Sequence, residues 1–96
     1  MNKKDELALK EIADHYGPCL QGLQSIEEMA ELTQALLKLF REPPNENERI
    51  YDVIEEIADV GIMLKQLTYL YDCKDEVNIM EQIKIARQLE RIKDES

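Results

Sequence analysis

The sequence has no tryptophan and one phenylalanine, Phe40. Its core must therefore be aliphatic, built on Leu, Ile, Met and Val. Three glycines and three prolines punctuate 96 residues, too few for many short strands joined by turns. The two cysteines, Cys19 and Cys73, stand alone without CxxC spacing, so neither a zinc cluster nor a dithiol redox motif is indicated. A disulfide between them is a minor alternative. Cations are also scarce: 12 Lys and Arg face 21 Asp and Glu, for a formal net charge of −9. Nucleic-acid backbones and anionic membrane surfaces are bound through Lys and Arg, so neither is an expected partner. No apolar run approaches the ~20 residues that span a bilayer. The start, Met1-Asn2-Lys3-Lys4-Asp5-Glu6, is charged where a signal peptide turns apolar. A cytoplasmic protein is expected.

What is present is helix-forming and amphipathic. The chain is 44% hydrophobic and 34% charged, enough apolar content to fold and of a length for one domain, residues 1–96. Four helical stretches are expected. The first runs from about Lys4 to Tyr16 and stops at Gly17-Pro18. The second opens at Ser25, where Ser25-Ile26-Glu27-Glu28 fits a capping box, and ends near Arg41, before Pro43-Pro44. The third begins near Asn45 or Asn47 and reaches Tyr71; the fourth covers about Asp75 to Ile92. Apolar stripes at 3–4 residue spacing support these assignments: Ile26, Met29, Thr33, Leu36, Leu37 and Phe40 on the second helix, Ile50, Val53, Ile54, Ile57, Val60, Gly61 and Leu64 on the third, and Ile79, Ile83, Ala86, Leu89 and Ile92 on the fourth. Short connections between such helices predict an all-α fold, a compact bundle of about four antiparallel helices.

The informative residues lie away from those stripes. Glu28 and Glu31 share one side of the second helix, and Glu56 and Asp59 one side of the third. A solvated acidic face is the plain alternative. Against it, the same faces continue through Leu32 and Leu39, and through Met63 and Leu70, as a cleft wall or a subunit interface would. The i, i+3 carboxylate pair also occurs twice, and antiparallel packing could bring the two pairs together. At ~5 Å and an effective dielectric of ~20, each like-charged contact costs roughly 3 kcal/mol. A cluster of four then requires either protonation or a divalent cation, and all-oxygen ligation suits Mg²⁺ or Mn²⁺.

Glu27-Glu28-Met29-Ala30-Glu31, followed after a spacer by Glu56-Ile57-Ala58-Asp59, resembles the EExxE…ExxD signature of the MazG-like all-α nucleoside triphosphate pyrophosphohydrolases. The resemblance covers about His15 to Arg91. It implies a MazG-like fold and Mg²⁺-dependent cleavage of a nucleoside triphosphate between the α and β phosphates, giving a monophosphate and pyrophosphate. Carried over residue by residue, Glu28, Glu31, Glu56 and Asp59 match the metal-ligating catalytic carboxylates. Arg87 and Arg91, one turn apart on the last helix, resemble phosphate-contacting residues found in parts of the family. Lys38, one to two turns beyond Glu31, is a further candidate for a substrate phosphate. Glu27 and Glu55 read as exposed helix carboxylates before they read as bases.

His15 is the only histidine and lies three residues beyond none of the four acids, which removes the Glu-x-x-His pairs of di-iron bundles; no Ser-His-Asp or Cys-His arrangement is indicated. There is no Gly-rich phosphate loop. Two alternatives to the hydrolase stand: a non-catalytic helical interaction module, and a nucleotide-binding regulator with the same fold. Apolar residues on both sides of the second and third helices predict a homodimer or higher homo-oligomer, with Leu32, Leu39, Met63 and Leu70 as the candidates for burial between subunits.

Overall fold

The structure, a computed structural model, describes residues 1–41 and 46–95. Asn2 starts the first helix: its Oδ1 accepts the Asp5 N–H at 2.8 Å, and Asp5 and Glu6 lie in the first turn, where acids complement the helix dipole. Helix α1 then runs Lys3–Arg41 with one interruption, Gly17, at φ 83° and ψ 171°. Residues preceding proline avoid the helical region, and glycine alone enters this one without strain. Pro18 fits the first position of the resumed helix, whose N–H needs no partner. The break expected at Gly17-Pro18 is thus a kink inside α1. No new helix begins at Ser25, which is buried inside α1 and donates its hydroxyl hydrogen to the Gln21 carbonyl at 2.7 Å. That hydroxyl bond replaces the expected cap.

Helix α2 spans Glu46–Leu70 and α3 spans Lys74–Glu95. The expected stop at Pro43-Pro44 lies outside the described residues. Between α2 and α3, Asp72 takes a left-handed φ of 50°. The Cys73 N–H reaches the Thr68 carbonyl at 3.1 Å and the Asp72 N–H the Tyr69 carbonyl at 3.0 Å. This Schellman closure satisfies the last carbonyls of α2 and leaves a tight turn. Both cysteines are free: Cys19 is exposed and Cys73 half-buried.

The described residues form three helices and no strand, so the chain is all-α. Residues 18–41 of α1 lie antiparallel to α2. The Gln21 amide donates to Gln66 Oε1 at 2.6 Å in a buried pair near one end of this hairpin. Residues 3–16 fold back on the C-terminal half of α2, where the Tyr69 hydroxyl donates to the Asp14 carboxylate at 2.8 Å and Lys10 sits 5.6 Å above the Tyr69 ring. Leu9 and Ala13 are buried on the same arm.

Two expectations are corrected here. The described residues do not close into a compact bundle. They form three helices, the first of them two helical segments joined at the Gly17 kink; α3 touches α2 slightly and does not approach α1, and none of its residues is buried. The radius of gyration, 16.5 Å, exceeds the ~13 Å of a compact chain of this length. The inward faces are also rotated from those expected. Met63 is buried and Leu32, Leu39 and Leu70 are half-buried within the hairpin, so these four do not form a free subunit interface. Of the stripes expected inside, Val53 is buried and Leu36 and Val60 are half-buried, while the rest are largely open, with Phe40 at 72% and Ile57 at 56% exposure. A two-helix layer has only one seam. Here it follows residues 21, 25, 28, 32, 35 and 39 on α1 and 49, 53, 56, 60, 63, 67 and 70 on α2, with the buried Gln66 joining it opposite Gln21, a largely alternating 3–4 spacing typical of helices packed lengthwise.

Candidate metal centre

The seam places carboxylates where aliphatic side chains would ordinarily pack. Glu28 and Glu56 occupy facing seam positions and are half-buried, while Glu31, one turn beyond Glu28, stands exposed at the seam's edge. One carboxylate oxygen from each of Glu28, Glu31 and Glu56 lies within 4.8 Å of the others. Gln24 donates to Glu28 Oε1 at 2.8 Å and orients that side chain. Glu28 Oε2 and Glu56 Oε2 are buried and accept no hydrogen bond from any described residue.

Asp59 stands outside this triple. It is exposed on α2 one turn from Glu56, near enough for its charge to act on Glu56. Burial, the carboxylates of Glu31, Asp59 and Glu28, and a hydrogen bond with Glu31 together raise Glu56 above its ordinary pKa of 4.5. A buried carboxylate oxygen without a donor is costly. Two such oxygens, with the exposed Glu31 carboxylate beside them, favour a retained proton or a bound cation. The donor set, all hard oxygen, is of the kind that suits Mg²⁺ or Mn²⁺.

The basic candidates are placed less closely. Lys38 is exposed two turns beyond Glu31, beside a shallow depression that it lines with Gln34, Leu37 and Arg41. Arg87 and Arg91 are exposed on α3, which does not approach α1, so within one chain they do not join Glu28 and Glu31. His15 stacks edge-on against Tyr16, ring centroids 4.7 Å apart, away from the carboxylates. One charged residue escaped the sequence reading: Arg49 is half-buried on the same seam, two turns before Glu56, and pairs with Asp52 at 3.6 Å. Its signal was the register, since 49, 53 and 56 fall on one face. Comparisons with protein-family models, with curated proteins and with solved structures find no match to this chain.

The raised Glu56 pKa carries a pH signature. The folded state holds this proton at pH values where the unfolded chain has released it. Folded molecules therefore bind more protons than unfolded ones between 4.5 and the raised value, and stability falls as pH climbs through that window. In EDTA, the melting temperature of the wild-type chain should decline as pH rises above 4.5. The Glu56→Gln protein should decline less. Equal slopes in thermal melts across this range would show that Glu56 is not part of a crowded cluster.

Proposed function

We propose that this chain is a Mg²⁺-dependent nucleoside triphosphate pyrophosphohydrolase of MazG-like type, cleaving between the α and β phosphates. One observation carries the proposal: Glu28, Glu31 and Glu56 converge across two antiparallel helices with two buried, undonated carboxylate oxygens. The sequence resemblance supports it from a separate direction, because these three residues are among the four its signature selects, and Asp59, the fourth, borders them. Bound Mg²⁺ would neutralise triphosphate charge, activate a water and stabilise the leaving pyrophosphate. Glu28, Glu31 and Glu56 would hold the ion at the seam, Gln24 fixes Glu28, and Lys38 stands on α1 as a candidate for a phosphate; Arg87 and Arg91 could serve only from another copy or another placement of α3. We further propose a cytoplasmic homo-oligomer, a reading supported by the exposure of every residue of α3.

The test is a panel of nucleoside triphosphates with Mg²⁺, reading pyrophosphate and monophosphate. Release of both from at least one substrate, abolished by EDTA, is the expected result. Binding without turnover would favour a nucleotide-binding regulator. Neither binding nor turnover would favour the helical interaction module, which has one observation of its own in the open apolar stripes of all three helices.

A further inference from the structure

The buried polar residues among those described are Gln21, Ser25 and Gln66, and all three lie toward one end of the α1–α2 hairpin. Gln21 is 6% exposed and Gln66 2%, and the amide of the first donates to Oε1 of the second at 2.6 Å. Ser25 closes back on the Gln21 carbonyl at 2.7 Å. Leucine or methionine would fill the two glutamine positions at similar volume without taking amides out of water. A bonded amide pair adds little net stability over apolar residues of the same shape, and replacing both partners together is close to neutral or stabilising. Stability therefore does not account for the pair.

What the pair supplies is position. Burial of aliphatic side chains is non-directional. The stretch of seam through Leu32, Ala35, Val53, Val60 and Met63 holds the helices together without fixing how far one has slid along the other. A hydrogen bond of 2.6 Å is broken by a shift of about 1 Å. The carboxylate triple needs such a restraint. Glu28 and Glu31 come from α1 and Glu56 from α2, so a slide along the seam pulls the triple apart. Mutual repulsion favours that slide in the metal-free chain, whereas a ligand set works only when held within about 0.5 Å of its productive geometry. The spacing is matched on both helices. Seven residues on from Gln21 is Glu28, and seven back from Gln66 is Asp59, beside the triple; each interval is two turns, about 10 Å. The Asp14–Tyr69 contact does not replace the amide pair, because it comes from the arm beyond the Gly17 kink.

We propose that Gln21 and Gln66 are positioning residues: their buried amide pair sets the register of α1 against α2 and so brings Glu28 and Glu31 to the level of Glu56. The consequence for metal binding rests on reading the triple as a metal centre, while the register itself does not.

The test compares the full chain with its Gln21→Leu, Gln66→Met double variant in three measurements. Thermal melts in EDTA should place the variant at or above wild type. Register is read without metal by pulsed electron–electron distance measurement. With Cys19 and Cys73 replaced by Ser, nitroxides are attached through Glu27→Cys and Glu55→Cys, exposed positions beside the triple on α1 and α2. The labelled chain is diluted with unlabelled chain, so that only distances within one chain contribute. The glutamine pair should give one narrow distance, and the Leu/Met background a broadened or second one. Mn²⁺ titration of the unlabelled proteins, followed by the free-ion signal, should show affinity weakened about 10- to 100-fold in the double variant, the usual cost of losing support behind a ligand. A double variant that melts well below wild type, or does not fold, overturns the positioning role and makes the pair a stabilising contact. An unchanged distance peak overturns it as well, and so does a changed peak with Mn²⁺ affinity intact. If wild type binds no Mn²⁺ but the peak still broadens in the variant, the metal centre falls and the register role stands.

Discussion

Replacing Glu56 by Gln is expected to cut Mg²⁺-dependent pyrophosphate release by at least about a hundredfold, since even residues that only support a metal ligand typically cost 10- to 100-fold. The amide keeps the size and much of the helix propensity of the acid but removes a negative charge and a strong ligand. Glu56 is the decisive position because it alone brings α2 into the triple with Glu28 and Glu31. Asp59→Asn, at the edge of the cluster, is expected to lose less. The same substitution at Glu90, exposed on α3 and paired with Lys93 at 3.7 Å, should leave turnover near wild type. Helical content should survive Glu56→Gln, and the metal-free fold should gain stability, because one of several mutually repelling carboxylates is gone. That opposition, activity down and metal-free stability up, separates a ligand from a residue that merely holds the helices together. Wild-type-like pyrophosphate release from Glu56→Gln would sink the metal-site proposal.

The carboxylate triple was legible because its spacing is helical and its two halves lie on consecutive helices. Glu28 and Glu31 share a face by their i, i+3 separation, and antiparallel pairing across a short connection brings Glu56 to the same height. The kink at Gly17-Pro18 was legible for a similarly local reason. What could not be read was which face turns inward. An aliphatic series such as Ile26, Met29, Leu37 and Phe40 reads as core wherever its partner lies, and sequence does not say whether that partner is the same chain. The true seam is obscured by Gln21, Ser25, Glu28, Arg49, Glu56 and Gln66, polar residues at positions that pattern reading assigns to Leu or Val. Ser25 shows the same competition at one residue. Serine suits an N-cap, but Pro18 had already restarted the helix seven residues earlier, and the hydroxyl turned back to the Gln21 carbonyl instead. Helix α3 was legible as an amphipathic helix, but its stripe carries no information on what covers it.

Addition of Mg²⁺ should raise the melting temperature substantially at fixed chain concentration. A ligand that binds only the folded state at a hundredfold excess over its dissociation constant contributes about 2.7 kcal/mol. At about 4–8 °C per kcal/mol for a domain of this size, the transition should move up by roughly 10–20 °C. The structural ground is specific. Carboxylate oxygens within 4.8 Å of one another repel in the metal-free fold, and Glu28 Oε2 and Glu56 Oε2 are buried without a donor, so a cation both relieves repulsion and satisfies buried acceptors. Monovalent salt cannot imitate this. Its screening length is about 10 Å at 0.1 M, longer than the separations in the cluster. NaCl at matched ionic strength should therefore give a small shift, Mg²⁺ and Mn²⁺ a large one, and EDTA should reverse it. Glu28→Gln should reduce the Mg²⁺ shift while leaving the NaCl response unchanged. A transition that ignores millimolar Mg²⁺, or that answers NaCl equally, would place these acids on a solvated face and move the balance to the interaction module.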